Sequence, residues 1–242
     1  MSAASPPNLQ DWLALHGLTV QNCADLLALT PPMPAPVAPA GAAAAGLDGP
    51  ALWALVASAL AEALPELAPE IARTAAETVV NFAPDRARHP RPFALYIEKK
   101  AMVYVSCPLS GGARDMVIAA HEFGHALQLH CIAGAPVAPV LRETCAFLAE
   151  ELLPQALTGT APEQAGAAAE VLVRSRRRNL GPMRRDLLAS LAEGAALYDY
   201  GWNYPPARIL ALFMQRDAPA SLRRAVFHGR VTVSELIAET HV

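Results

Sequence analysis

The residues with the clearest chemical potential are His121, Glu122 and His125, in the run His121-Glu122-Phe123-Gly124-His125. On a helix, positions i and i+4 share one face a turn apart, so the two imidazoles can converge on one point. Zinc accepts histidine nitrogen at about 2.0–2.1 Å, and a catalytic zinc takes three protein ligands plus a water. Glu122, next to the first histidine, is placed to reach that water rather than the metal. Zinc lowers the pKa of such a water toward about 7, and a carboxylate can then take its proton. This is the mechanical content of the H-E-x-x-H spacing. The plain alternative is a helix with two solvated or core histidines. Gly124 inside the motif adds a clue. An interior helical glycine costs about 1 kcal/mol relative to alanine, so its use there suggests the close approach of another backbone.

Such a site needs a third ligand. After His125 the histidines are His130, His228 and His241, and no His-x-x-Gly-x-x-His extension follows the motif. A carboxylate is the remaining choice. The next helical stretch offers Glu143, Glu150 and Glu151. Glu143 and Glu150 are seven positions apart, two turns, and share a face. Between them lie Cys145, Ala146, Phe147 and Ala149, all small or apolar. The expectation is Glu143 on the metal and Glu150 holding an imidazole N–H, with one zinc ion per chain. The competing reading leaves Glu150 and Glu151 solvated at a helix end.

The elements that must position these groups are mostly helical. Short helical patterns at 11–15 and 20–29 form an N-terminal segment, residues 1–30. Residues 31–50 are a proline-, alanine- and glycine-rich tract. Proline at that density continues neither a helix nor a central strand, so the tract reads as a linker. Residues 51–242 form the main domain. Apolar spacing predicts helices over 51–64 and 66–82, and two strands over 93–98 and 102–106 read as a hairpin. Helices follow over 113–131, 140–153 (stopped by Pro154), 161–176, 182–198 and 206–216, with a short C-terminal segment. The chain has 242 residues, 53% hydrophobic and 17% charged, with a formal net charge of −3. That charge gives no global electrostatic case for nucleic acid or an anionic membrane. The most apolar stretch, 51–64, is broken by Glu62 and falls short of the roughly 20 residues that span a bilayer. The four cysteines, Cys23, Cys107, Cys131 and Cys145, form no CxxC pair, and the first residues show no basic, then apolar, leader pattern. Reduced thiols and a cytoplasmic location are expected.

The segment from Asp115 to Leu127 resembles the core of the oligoendopeptidase F and thimet oligopeptidase family of gluzincin metallopeptidases. Glu143 and Glu150 match that family's Glu-x6-Glu helix, and Val103–Gly112 matches its strand and glycine-containing turn before the motif. Arg185 and Glu193 resemble a pair on a later helix. The resemblance covers about residues 92–200. It implies a mainly α, zincin-like catalytic domain with a small β-hairpin or sheet edge beside the HExxH helix. It further implies cleavage of short or unstructured peptides. The strand before the motif would bind substrate backbone at its edge, with Ser110, Gly111 and Gly112 along the peptide. Tyr198 and Tyr204 would supply oxyanion donors and Tyr200 would contact substrate. The alternative is a half-buried aromatic patch. The family places a histidine just upstream of its tyrosines, and this sequence has none between His130 and His228. The chain is also far shorter than typical members, which implies a more open cleft.

Residues 142–154 are also similar to the corresponding helix of ImmA/IrrE-like regulators, which act on one partner protein. A third reading is a catalytically silent zinc- or peptide-binding protein. Arg174, Arg176, Arg177, Arg178, Arg184 and Arg185 form a local basic run. A solvated helix face accounts for it better than nucleic acid does, and some of these arginines could hold a peptide carboxylate. Cys23, on the tethered N-terminal segment, is either a latency switch on the metal or a packed cysteine.

Overall fold

The computed structural model describes residues 7–38, 47–85, 87–194 and 197–239; residues 39–46 of the expected linker lie outside them. In chain order the α-helices are α1 (Leu9–Leu15), α2 (Val20–Ala28), α3 (Gly49–Ala63), α4 (Ala68–Glu77), α5 (Ala113–Ile132), α6 (Pro139–Leu157), α7 (Pro162–Arg178), α8 (Arg184–Glu193), α9 (Tyr204–Asp217), α10 (Ala220–Phe227) and α11 (Val233–Glu239). The strands are β1 (Val79–Asn81), β2 (Phe93–Ile97) and β3 (Met102–Ser106). The fold is mainly helical with one small three-stranded sheet.

Helix α5 starts because Asp115 completes the turn before it. Its carboxylate accepts from the backbone N–H groups of Ser110, Gly111 and Gly112 and from the Ser110 hydroxyl at 2.7–3.3 Å. An acidic side chain is well placed there, against the positive end of the helix dipole. Gly111 has φ +84°, a conformation that costs glycine little. Helix α6 packs against α5, α9, α7 and α3. The α5–α6 crossing is close at Gly124. A Cβ there would sit 2.8 Å from both the Ala146 Cα and the Cys145 carbonyl, so the glycine marks the backbone approach expected from the sequence.

The helix expected over 182–198 ends at Glu193, where Gly194 takes φ +75°; three further expectations change. The helix over 66–82 ends at Glu77, and β1 follows. Thr78, Val79 and Val80 are β-branched, stiff at χ1 and suited to extended backbone. A parallel partner in β3 supplies the hydrogen bonds, pairing Val79–Asn81 with Tyr104–Ser106. Second, Pro154 does not stop α6, which runs on to Leu157. Proline at 154 removes a single bond, from its own missing N–H to the Glu150 carbonyl, and the packing of α6 against α5, α9, α7 and α3 holds the helix through it. Third, the strand order is β1-β3-β2, with β2 antiparallel to β3. The strand before the motif is therefore central and flanked on both sides. Substrate backbone cannot add to it as an edge; the free edges among the described residues belong to β1 and β2.

The N-terminal helices share the main core rather than hanging from a tether. Leu9, Trp12, Leu13, Cys23, Leu26 and Leu27 belong to one hydrophobic cluster with residues of α3 through α11. Residues 7–8 tie into the chain near the tyrosines: Tyr198 N–H donates to the Pro7 carbonyl at 3.0 Å, and Asn8 forms an antiparallel bridge with Leu197. No single helix among the described residues is long and apolar enough to cross a membrane.

Candidate metal centre

Helices α5 and α6 bring His121, His125 and Glu143 together. One ligand atom from each lies within 4.8 Å of the others, so the group could hold a metal ion. His121 Nε2 lies 3.5 Å from Glu143 Oε2, and His125 Nε2 lies 3.8 Å from Glu143 Oε1. The two rings meet edge to face at 4.7 Å. His121 Nδ1 donates to Glu150 Oε1 at 2.7 Å. That bond fixes the tautomer and turns the Nε2 lone pair toward Glu143 and His125. His125 Nδ1 has no such partner, and Glu143 Oε2 and Glu122 Oε2 are buried without a hydrogen bond. An orphaned carboxylate oxygen beside two imidazoles is what a bound cation would satisfy.

The electrostatics agree. Burial alone would lower the His121 pKa, but the hydrogen bond and charge of Glu150, with the charges of Glu143 and Glu122, lift it to about 9. A site that protonates an imidazole so readily is short of positive charge. Burial, then the charges of His121 and Arg142, hold His125 well below its ordinary value, which favours the neutral form that a metal ion would need. Burial pushes Glu122 up to about 7; His121 and Arg142 oppose this, while Glu143 and Glu150 add to it. A carboxyl near neutrality suits a group that takes and returns a proton.

Glu150 and Glu151 are both buried, not solvated at a helix end. Their partner is Arg208 on α9, which is fully buried. Its NH2 lies 2.6 Å from Glu150 Oε2 and its NH1 2.6 Å from Glu151 Oε1. Arg208 also donates to Ser175 Oγ at 3.0 Å and sits 3.8 Å above the Phe147 ring. The edge of Phe147 meets His121 at 5.5 Å between centroids. Arg176, one of the basic run, pairs with Glu151. The carboxylate that holds His121 is thus anchored by a guanidinium. Burial disfavours the Glu150 charge, yet Arg208 and His121 overcome this and hold its pKa low.

Tyr200 is the tyrosine that reaches the ligand set: its hydroxyl donates to Glu143 Oε1 at 2.7 Å. Burial and the Glu143 charge raise its pKa, so it stays a donor. The Tyr198 hydroxyl accepts from Asn203 Nδ2 at 3.0 Å, which leaves its O–H able to donate. Tyr204 packs on Phe147 and Tyr200 at 5.8 Å between centroids. Its pKa rises to about 12 through burial and the Glu143 charge, and no hydrogen bond occupies its hydroxyl among the described residues. The backbone donors of Ser110, Gly111 and Gly112 are committed to Asp115. Arg185 and Glu193 are exposed on α8. Cys23 is fully buried, and burial pushes its thiol up to about 12, far from the thiolate a latency switch needs.

Sequence reading missed Arg208, Asn203 and Trp12. Arg208 carried a signal: it is the one charge in the apolar run from Ala207 to Leu212, and a charge so placed is buried only with a partner. Comparison with protein-family models, curated proteins and solved structures finds no match to this chain.

Proposed function

We propose that this protein is a zinc metallopeptidase with a zincin-like, gluzincin arrangement, hydrolysing peptide bonds in short or unstructured peptides. The observation that carries the reading is the convergence of His121, His125 and Glu143, with Glu122 buried beside them and its pKa raised to about 7. The donor set fits zinc. Two ligands about 2.0–2.1 Å from a tetrahedral ion sit about 3.3 Å apart, close to the 3.5 Å between His121 Nε2 and Glu143 Oε2. Zinc, when bound, supplies an acidified water and polarises the scissile carbonyl.

The chain's own residues do the rest. Glu122 accepts a proton from the attacking water and returns it to the leaving amine. Glu150 keeps His121 in its ligating tautomer. Tyr204, whose hydroxyl makes no hydrogen bond among the described residues, is the donor for the developing oxyanion; Tyr198, which accepts from Asn203 and keeps its O–H to donate, is the second candidate. The resemblance of 115–127 and of the Glu143/Glu150 spacing to oligoendopeptidase F and thimet oligopeptidase supports the choice of peptide substrates. The central position of β3 departs from the expected substrate edge, so a peptide would lie along another surface of the cleft.

The experiment is a peptide-library digest with wild type and Glu122→Gln, each with bound zinc measured. Cleavage by wild type alone, with zinc in both, supports the proposal. Cleavage of no peptide by zinc-loaded wild type contradicts it and favours an ImmA/IrrE-like protease for one partner, or a binding protein.

A further inference from the structure

We propose that helix α1 is a positioning element of the metal centre, holding Glu143 in a one-oxygen binding mode through Trp12, Asn203 and Tyr200. The inference rests on the metal-centre reading and extends it to an element outside the motif.

Each link is a hydrogen bond between buried or committed groups. The Trp12 indole N–H donates to Asn203 Oδ1 at 2.8 Å. Trp12 and Asn203 are both buried. An indole nitrogen can only donate, so the Asn203 oxygen must face it. Its amide nitrogen is thereby turned the other way, toward the tyrosine turn. There Nδ2 donates to the Tyr200 carbonyl at 2.9 Å and to the Tyr198 hydroxyl at 3.0 Å. Tyr200 opens the 3₁₀ turn Tyr200–Asn203, and its hydroxyl reaches Glu143 Oε1 at 2.7 Å.

Tyr200 is 43% exposed, and its ring meets those of Tyr198 and Tyr204 edge to face. Its aim at Glu143 also depends on the backbone that carries it, and Asn203 holds that backbone. The strap at Pro7 and Asn8 adds a second hold on the residues just before the turn.

Helix α1 also grips the other end of the Tyr200–Glu143 bond. His16, just past α1, accepts from the Val140 N–H through Nε2 at 3.2 Å and donates from Nδ1 to the Trp12 carbonyl at 2.6 Å. Val140 is in the first turn of α6, the helix that bears Glu143. One short helix thus clamps both the turn that donates and the helix that accepts. With Oε1 held by Tyr200, Oε2 is left free and lies 3.5 Å from His121 Nε2. A one-oxygen carboxylate keeps a coordination position open for water, as a catalytic site requires.

The test uses the full chain. Zinc affinity is measured by chelator competition, and coordination number by the visible absorption of the Co²⁺-loaded protein. Trp12→Phe keeps an aromatic ring in the core and deletes the N–H. Tyr200→Phe deletes the hydroxyl of an exposed side chain. Leu13→Ala, also in α1 and buried, serves as a purely structural control. Both donor deletions are expected to weaken zinc about tenfold or more, as loss of ligand-orienting partners does. Both are also expected to shift the Co²⁺ spectrum toward five-coordination. The double variant is expected to lose no more than either single one, while Leu13→Ala lowers the melting temperature and leaves affinity and spectrum unchanged. Unchanged affinity and spectrum in Trp12→Phe, or additive losses in the double variant, would overturn the proposal. Should Trp12→Phe not fold, an unchanged zinc affinity in Tyr200→Phe overturns it alone. Wild type that binds no zinc removes the metal centre itself, and the clamp with it.

Discussion

His121 and Glu150 are joined by a 2.7 Å hydrogen bond from Nδ1 to Oε1, and this contact links the candidate metal site to the protein's buried charges. The other Glu150 oxygen is held by Arg208, which also holds Glu151, which in turn holds Arg176. The orientation of His121, one of the proposed ligands, therefore depends on an arginine on a different helix.

Removing the carboxylate should loosen the ligand. Glu150→Ala frees the His121 ring to rotate and is expected to weaken zinc binding about 10- to 100-fold. Chelator competition measures this, and an unchanged dissociation constant would show that Glu150 does not orient His121.

Arg208 should matter for stability more than any surface arginine. Arg208→Met strips Glu150 and Glu151 of a shared cation in the interior. Removing one partner of a buried pair costs about 3–5 kcal/mol. Arg208→Lys should rescue little, because one ammonium cannot make the two forked contacts at 2.6 Å. Urea denaturation reads both; a methionine variant as stable as wild type would mean that the network is not worth its desolvation.

Gly124→Ala should push α5 from α6. The new Cβ meets backbone at 2.8 Å, which cannot swing away as a side chain would. Overpacking costs about 1–3 kcal/mol, against about 1 kcal/mol gained in helix propensity. A net loss in thermal stability is expected, with weaker metal binding because the ligands sit on the two separated helices. A more stable variant with intact metal binding would refute the close approach.

His16 should make the fold acid-sensitive. Burial holds its pKa below 6.5, with the Trp12 carbonyl opposing in part, and its Nε2 is an acceptor for Val140 N–H. Protonating that nitrogen breaks the bond. The folded pKa is depressed, so the unfolded chain takes the proton first. The contribution of His16 is complete above the unfolded value of about 6.5 and is lost as pH falls from there toward the folded value. Urea midpoints at about pH 7.5 and 5.5, on either side of that value, should differ more for wild type than for His16→Gln. Equal differences would contradict the assignment.

The grouping of His121, His125 and Glu143 that could hold a metal ion was legible in the sequence because its geometry is local. Helical spacing alone puts His121 beside His125 and Glu143 in line with Glu150, and Gly124 announces the crossing that brings the pairs together. The zinc assignment itself stays a proposal. What was not legible is non-local. The pairing of β1 with β3 depends on a partner more than twenty residues away, and it turned an expected edge into a central strand. The N–H of Trp12 meets Asn203 across 191 positions, and neither residue has a spacing that would betray it. Arg208 was readable in part, as a lone charge among apolar neighbours, but only the fold shows which carboxylates it serves.

The central claim, one zinc held by His121, His125 and Glu143, is tested most directly by the metal content of the purified chain. The account predicts one zinc per chain in wild type and in Glu122→Gln, and loss of that zinc in His121→Ala and Glu143→Ala variants that remain folded. Wild type without metal, or stoichiometric zinc retained in the ligand variants, would contradict it.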